Sequence, residues 1–202
     1  MLILAFDTAT STATAALVRD GVPLAERAVH PRELMRAIDG LLDAAGVVPG
    51  ELDGVACGVG PGSFTGVRIG LAHARGLALA LDVPVAGVST LAALAAGAPG
   101  AIAVVDARRS EVFALADGSE RCLRPTDLAF APGTLLVGDG AVRYRELLES
   151  LGGVVPADDS ELHLPRARFH ALLARSFGAA DVVLPVYLRT PDAKKLVQAG
   201  AA

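Results

Sequence analysis

The sequence predicts an α/β fold made of two related halves, of which the second is shortened. Aliphatic runs alternate with helical patterns along the chain, as they do in α/β proteins. One pattern occurs twice: an aliphatic run ends at Asp7 or Asp106, a serine follows four residues later, and an apolar strand comes next. Residues 97–100, Gly-Ala-Pro-Gly, mark a boundary between the two copies. We therefore expect an internal duplication.

The first half, residues 1–98, is predicted to open with three strands. Asp20-Gly21 separates two apolar segments, as a hairpin turn would. Pro31 favours the start of a helix, and Gly46 favours its end. The predicted elements are strands at residues 2–6, 13–18, 22–29, 55–59 and 84–88 and helices at residues 32–45, 66–81 and from residue 89.

The second half, residues 99–202, contains fewer predicted helices. Its elements are strands at residues 101–105, 112–115, 134–137 and 186–188 and helices at residues 141–151 and 165–177. Three meandering strands followed by helix, strand and helix, in two copies, are the plan of the actin and Hsp70-like (ASKHA) superfamily. The predicted fold class is therefore a duplicated actin/Hsp70-like α/β fold with a shortened second half. In that fold a nucleotide lies between the halves, and the short second half leaves little sequence for an adenosine pocket.

Residues 57–70, CGVGPGSFTGVRIG, predict a sharp turn between a strand and a helix. Four glycines permit positive φ or a close backbone approach, and Pro61 fixes the turn between them. Ser63 or Thr65 can cap the helix that follows. Because an exposed helix N-terminus attracts anions, both a structural turn and a phosphate cradle are possible. The lysine of a Walker loop does not follow the glycines.

A carboxylate and several hydroxyls follow the first strand, in Asp7-Thr8-Ala9-Thr10-Ser11. A phosphate or its magnesium ion can bind at such a strand end, although a hydroxyl-capped turn explains the residues equally well. The alternative function is therefore a small ATP-binding hydrolase or phosphotransfer protein. Its candidate nucleotide-binding residues are Asp7, Thr8, Gly60, Gly62 and Ser63.

The helix predicted at residues 66–81 carries a stripe of small residues at every fourth position. Such a stripe allows close packing, either on the protein's own sheet or on a partner helix. Arg68 and Arg75 lie seven residues apart on another side, where they are either solvated or able to bind an anion. The stripe consists of Gly66, Gly70, Ala74 and Ala78.

Several classes of function find no support in the sequence. The four histidines show no metal-binding spacing, and no serine lies in a Gly-x-Ser-x-Gly elbow, so we predict no catalytic residue, metal site or cofactor. A net charge of −4 argues against a broad nucleic-acid-binding surface. Five apolar residues before Asp7 are too few for a signal peptide or membrane span, so we expect a cytoplasmic protein that does not bind membranes.

The ordered motifs resemble those of the TsaB (YeaZ) family, the smaller subunit in bacterial tRNA threonylcarbamoyladenosine synthesis. The resemblance extends over nearly the whole chain. The motifs are ILAFDTAT at residues 3–10, GVGPGSFTGVRIG at 58–70, GLALAL at 76–81, VVDARRSEVF at 104–113 and VYLRTPDA at 186–193.

This resemblance implies a pseudo-enzyme that binds and activates the catalytic subunit TsaD, which transfers a threonylcarbamoyl group to an anticodon-loop adenosine. The His-x-x-x-His metal pair of TsaD is missing here. The ATPase TsaE is a further expected partner, a homodimer is plausible without TsaD, and tRNA is expected to bind only through the complex. Small basic pairs at Arg108-Arg109 and Lys194-Lys195 are candidates for any direct tRNA contact.

Family members pair through their first two helices, which match residues 32–45 and 66–81 here. The expected interface residues are Leu34, Met35, Ile38, Leu42, Gly66, Arg68, Gly70, His73, Ala74 and Ala78.

Overall fold

Two β-sheets with helices packed on them make up the fold in a computed structural model, which describes residues 1–189. The first sheet has five strands in the order β3-β2-β1-β4-β5. Antiparallel pairing joins β1 to β2 and β2 to β3, whereas β4 and β5 continue the sheet in parallel. The strands are β1 (Leu2–Asp7), β2 (Ala13–Arg19), β3 (Val22–Val29), β4 (Gly54–Gly58) and β5 (Val85–Val88).

Helices α1 (Leu34–Ala45) and α2 (Phe64–Leu81) pack on the first sheet. A 3₁₀ turn that begins at Pro31 leads into α1, and Gly46 ends α1 in the left-handed region at φ 63°. Ser63 caps α2 because its hydroxyl accepts a hydrogen bond from the Gly66 amide. Helix α3 (Thr90–Gly97) then leads into the second half. The predicted order of the first half is confirmed.

The second sheet has four strands in the order β8-β7-β6-β9, so its hairpin and parallel neighbour repeat the start of the first sheet. Its strands are β6 (Ile102–Arg108), β7 (Glu111–Ala116), β8 (Ser119–Leu123) and β9 (Leu136–Val137). The helices of this half are α4 (Asp139–Arg143), α5 (Arg145–Ser150) and α6 (Ala167–Leu173). None of the helices in residues 1–189 has the length and hydropathy needed to cross a bilayer.

The end of the described chain returns to the first half. Ala167 and Ala171 of α6 are buried against Ile3, Ala5 and Ala16 on the face of the first sheet. Residues 178–187, which we call the strap, then run beside α2, and Gly178 bridges to Val85 of β5. The division into residues 1–98 and 99–202 stays a prediction, and the structure adds that the last part of the second segment packs on the first sheet.

Two predicted elements differ from the structure, and one strand of the structure was not predicted. The prediction of a strand at residues 186–188 is wrong. Within this segment only the Val186 amide donates a backbone hydrogen bond, to the Val59 carbonyl, so no strand pairing forms. The helix expected at residues 141–151 is divided at Tyr144. Strand β8 was not predicted, because SERCL lacks the aliphatic alternation of the other strands.

Candidate functional site

The Asp7 carboxylate is buried inside the molecule and is fully engaged there. One oxygen accepts hydrogen bonds from Thr90 Oγ1 at 2.7 Å and from His170 Nε2 at 2.8 Å, and the other accepts from the Ala9 amide. Asp7 is 1% exposed, and the His170 side chain is also inaccessible. Asp7 therefore does not offer the free oxygen that the predicted magnesium or phosphate site needs.

Electrostatics favour the ionised form of this buried carboxyl. Burial alone would raise the pKa of Asp7, but hydrogen bonds and the charge of His170, with further hydrogen bonds from Ala9 and Thr90, hold it below its ordinary value. The neighbouring Cys57 behaves oppositely, since burial and the Asp7 charge raise the pKa of its thiol to about 12. Cys57 is thus an unreactive core thiol.

The glycine-rich turn is packed against the residues that follow β1. A Cβ at Gly62 would lie 2.5 Å from the carbonyl oxygen of Ala9, and the Ser63 amide donates to that same oxygen at 2.7 Å. Thr8 is buried, and its hydroxyl donates to the Gly66 carbonyl. These contacts favour a structural turn over a phosphate cradle.

The five candidate nucleotide-binding residues therefore do not form one open site. Asp7 and Thr8 are internal, Gly62 is in close contact with Ala9, and Ser63 caps α2. Gly60 adopts a positive φ of 88°, which fits the turn function of a glycine.

A cleft of about 510 Å³ lies between the two halves. Ser11 and Ser63 line it from the first half, and Asp106, Arg108 and Asp139 line it from the second. Burial raises the pKa of Asp139, whose carboxylate accepts a hydrogen bond from the Asp106 amide. The cleft therefore mixes both signs of charge.

Arg108, a candidate for tRNA contact, binds the aspartate of its own loop. Its guanidinium lies 3.1 Å from the Asp106 carboxylate, and its amide donates to the same side chain. The other basic pair, Lys194-Lys195, lies outside the described residues.

The small-residue stripe of α2 faces the protein's own sheet. A Cβ at Gly66 would lie 2.1 Å from the Thr8 carbonyl oxygen, and one at Gly70 would lie 2.5 Å from the Thr8 hydroxyl. Ala74 and Ala78 are buried in the same core. The expectation that this stripe contacts a partner is wrong for Gly70, Ala74 and Ala78, and Gly66 is half-buried under Thr8.

Helix α1 requires a similar correction. Leu34 is completely buried in the core of the first half, so it cannot contact a partner. Ile38 and Leu42 are also buried, but they line a groove of about 510 Å³ between α1 and α2 together with Leu77. Met35, also at this groove, is 41% exposed and stays a candidate interface residue.

The opposite side of α2 is apolar and exposed. Leu79 is 87% exposed and Ile69 is 39% exposed, and Ala72 and Gly76 are exposed between them. We call Ile69, Ala72, Gly76 and Leu79 the outer α2 face. A helix with an exposed apolar face of this kind is characteristic of a surface that another protein covers.

Arg68 and Arg75 are held by hydrogen bonds to the strap. The sequence had left two possibilities open for them, exposure to solvent or binding of an anion. Arg68 Nε donates to the Tyr187 hydroxyl at 3.0 Å, and Arg75 donates to the carbonyls of Ala180 and Val183. His73 is half-buried on α2.

Sequence reasoning missed the outer α2 face, although a signal for it exists. Positions 69, 72, 76 and 79 repeat at helical spacing just as positions 66, 70, 74 and 78 do, so α2 has two apolar sides. The second side leaves apolar side chains of α2 exposed, in addition to those that pack on its own sheet.

Comparison with known proteins agrees with this architecture. The family model described as TsaD, tRNA N6-adenosine threonylcarbamoyltransferase, matches residues 18–133. The tRNA threonylcarbamoyladenosine biosynthesis protein TsaB of Bacillus subtilis (strain 168) is 32% identical over 226 residues, covering 96% of each chain. The protein of that name in Escherichia coli (strain K12) is 43% identical over 123 residues, covering 56% of this chain and 53% of that protein.

Solved structures resemble the whole fold. YeaZ from Pseudomonas aeruginosa superposes with a TM-score of 0.77 at 33% identity, over 93% of this chain and 99% of that one. Component A of the (R)-2-hydroxyglutaryl-CoA dehydratase of Acidaminococcus fermentans superposes with a TM-score of 0.56 at 13% identity, over 86% and 97% of the two chains. That second likeness concerns the fold alone.

The paired sheets and these likenesses define an actin/Hsp70-like α/β protein, which confirms the predicted fold class. Within that class, the chain belongs to the TsaB (YeaZ) family. The resemblance drawn from the sequence motifs is thereby confirmed.

Proposed function

We propose that the chain is a non-catalytic subunit in tRNA threonylcarbamoyladenosine biosynthesis, which binds and activates the catalytic subunit TsaD. The observation that carries this proposal is the outer α2 face, where Leu79 is 87% exposed. Membership of a family whose members are named for this pathway supports the pathway, and the match to the TsaD family model supports TsaD as the partner.

The shape beside this face supports a helical partner. The groove between α1 and α2 has an apolar lining that includes Ile38, Leu42 and Leu77, while Met35 stands at its edge. A large apolar side chain from a partner helix would fill this groove, and Ala72 and Gly76 would let the partner backbone approach closely. Both helices therefore take part in the proposed interface.

The state of Asp7 supports a non-catalytic subunit. A phosphate-handling site at the end of β1 would need a carboxylate that can reach a metal ion or substrate. Asp7 is instead committed to His170, Thr90 and the Ala9 amide, and the adjoining Thr8 hydroxyl is committed to Gly66. Asp7 and Thr8 are therefore not available for the alternative function, an ATP-binding hydrolase or phosphotransfer protein.

The remaining partners follow from the same proposal. TsaE and tRNA would join through the complex with TsaD, and a second copy of this chain would cover the outer α2 face when TsaD is absent. The net charge of −4 agrees with a subunit that does not itself attract tRNA.

A matched pair of surface variants tests the proposal. We expect Leu79→Asp to weaken binding to purified TsaD at least tenfold, or about 1.4 kcal/mol, because it places a charge in the apolar contact. Leu151→Asp is the control, since Leu151 is also exposed but lies at the end of α5 in the second half. Isothermal titration calorimetry measures both affinities.

The activity measurement is threonylcarbamoyl transfer to tRNA by TsaD and TsaE, with and without the chain. We expect the wild type and Leu151→Asp to restore transfer, and Leu79→Asp to require a higher concentration. Full transfer in the absence of the chain, or no binding of the wild type to TsaD, would refute the proposed function.

A further inference from the structure

The strap, residues 178–187, is irregular apart from a 3₁₀ turn at Ala180–Val182, but it is held at several points. Gly178 exchanges backbone hydrogen bonds with Val85 of β5, and the Val186 amide donates to the Val59 carbonyl at 2.8 Å. Between these points, Arg75 of α2 donates to the carbonyls of Ala180 and Val183, at 3.2 and 2.7 Å. The strap is thus fixed along one side of α2.

Its side chains divide into an inner and an outer set. Val183 is buried, and both Val183 and Val186 pack on the core of the first half. Val182 and Leu184, by contrast, are each 66% exposed. An anchored segment that presents two large aliphatic side chains to solvent leaves apolar area uncovered, which is typical of a binding surface rather than of a loose tail.

The strap borders the outer α2 face. Its hydrogen bonds to the helix come from Arg68 and Arg75, seven residues apart and therefore on one side of α2. Ala72 and Leu79 of the outer face each lie four residues beyond one of these arginines, and residues four apart are neighbours on a helix surface. The strap therefore lies along the side of α2 that adjoins the outer α2 face.

At its far end the strap meets an aromatic cluster. The Phe64 and Tyr187 rings are 5.6 Å apart, and the Arg68 guanidinium lies 3.7 Å from the Phe64 ring centre. Both rings are exposed. Tyrosine and arginine that are already held in place lose little freedom on binding, and they are enriched among the residues that dominate protein interfaces.

We propose that the strap forms, together with the outer α2 face, one continuous surface that binds the catalytic subunit. This inference rests on the proposed function. A stable interface takes about 20–30 residues from each partner, whereas the outer α2 face, Met35 and the groove residues Ile38, Leu42 and Leu77 supply only eight. The strap and the aromatic cluster supply neighbouring area of the same apolar character, so a partner seated on α2 reaches both.

The test compares Leu184→Asp and Val182→Asp with Leu79→Asp and the control Leu151→Asp, each as the full chain titrated with TsaD. Both strap variants are at exposed positions, so circular dichroism and the melting temperature should stay those of the wild type. We expect each strap variant to weaken binding about tenfold, and Leu151→Asp to change it less than twofold.

Hydrogen exchange of the wild-type chain gives a second measurement that needs no substitution. Amides of residues 181–187 should exchange more slowly when TsaD is bound, while those around Leu151 should not change. Affinities of the strap variants within twofold of the wild type, with no added protection of the strap, would overturn the inference.

The outcomes separate this inference from the proposed function. Weak binding by Leu79→Asp with normal binding by both strap variants would leave the function standing and overturn the role of the strap. No binding of the wild type would refute the function itself. Strap variants that disrupt self-association of the chain, measured by sedimentation velocity, but bind TsaD normally would also overturn the inference.

Discussion

The two sides of α2 carry similar residues but have different environments. On the inner side, a Cβ at Gly66 would lie 2.1 Å from the Thr8 carbonyl oxygen, so no larger residue fits. On the outer side, a Cβ at Gly76 would have nothing within 4 Å, and Leu79 projects into solvent. Small residues on the inner side allow the chain to fold, whereas those on the outer side have no comparable structural need. The difference gives the inner side a part in folding and leaves the outer side free for the proposed binding of a partner.

The inner side also covers the residues around Asp7. Thr8 touches the α2 glycines, and the Asp7 carboxylate next to it holds Thr90 of α3 and His170 of α6. Three helices therefore converge at the end of β1. Changes there should affect folding, and changes on the outer side should affect binding.

The largest expected effect follows from Asp7→Asn. Asparagine keeps one acceptor oxygen, but its NH₂ group would face a buried donor of Ala9, Thr90 or His170, and leaving buried hydrogen-bonding groups unpaired at a charged site costs about 3 kcal/mol. We expect a loss of that size in the free energy of unfolding at pH 7, measured with urea. As a control, Asp43→Asn on the exposed surface of α1 should change it by less than about 0.5 kcal/mol. Equal stability of the two variants would show that the inner side does not depend on Asp7.

Gly66→Ala should have the next largest effect. The added methyl would meet the Thr8 carbonyl oxygen, and forcing extra carbon into a packed interior costs about 1–3 kcal/mol. Gly40→Ala in α1 is the matched control, because nothing lies within 4 Å of its Cβ and alanine is the better helix former by about 1 kcal/mol. The melting temperature should therefore fall for Gly66→Ala and rise for Gly40→Ala. A higher melting temperature for both variants would contradict the close contact at Gly66.

The pH dependence of stability provides a finer test of the inner side. Because the pKa of Asp7 is lowered in the folded state, its contribution is complete above the unfolded pKa of about 3.9 and is lost as the pH falls towards the folded value. Between these two pKa values, the uptake of one proton on unfolding lowers the free energy of unfolding by about 1.4 kcal/mol for each pH unit of acidification. The stability gap between the wild type and Asp7→Asn, from urea unfolding at pH 2.5 to 7, should narrow only below about pH 4. A constant gap would be inconsistent with a lowered pKa.

The sequence predicts the parts of this fold that local patterns determine. The hairpin at Asp20-Gly21 and the start of α2 at Ser63 follow from turn and capping chemistry, which act over a few residues. The contact of Asp7 with His170 joins positions 163 residues apart, and no local pattern encodes it. The repeated pattern correctly placed Asp7 at the end of a strand. It could not show that Thr90 and His170 bury the Asp7 carboxylate.

The sequence predicted that the candidate interface lies on α2, but it did not predict which side of α2 is exposed. Both sides of α2 satisfy the spacing rule for apolar contact, so periodicity could not decide between Ala74 and Leu79. The choice depends on the position of Thr8 and of β4, which follows only from the assembled sheet. The strap escaped prediction for a related reason: Arg75 and Arg68 fix it through tertiary hydrogen bonds, without a strand ladder.

The smallest expected change in stability, and the sharpest contrast between the two sides, comes from Gly76→Ala. Nothing in the chain opposes the new methyl, so the helix should gain about 0.5–1 kcal/mol, seen as a higher melting temperature. If TsaD packs closely on the outer α2 face, the same methyl should weaken binding several-fold, measured by calorimetry beside Leu79→Asp. A protein that becomes more stable while it binds less well would show that this glycine serves the partner. Higher stability with unchanged affinity would instead place the closest approach of the partner away from position 76.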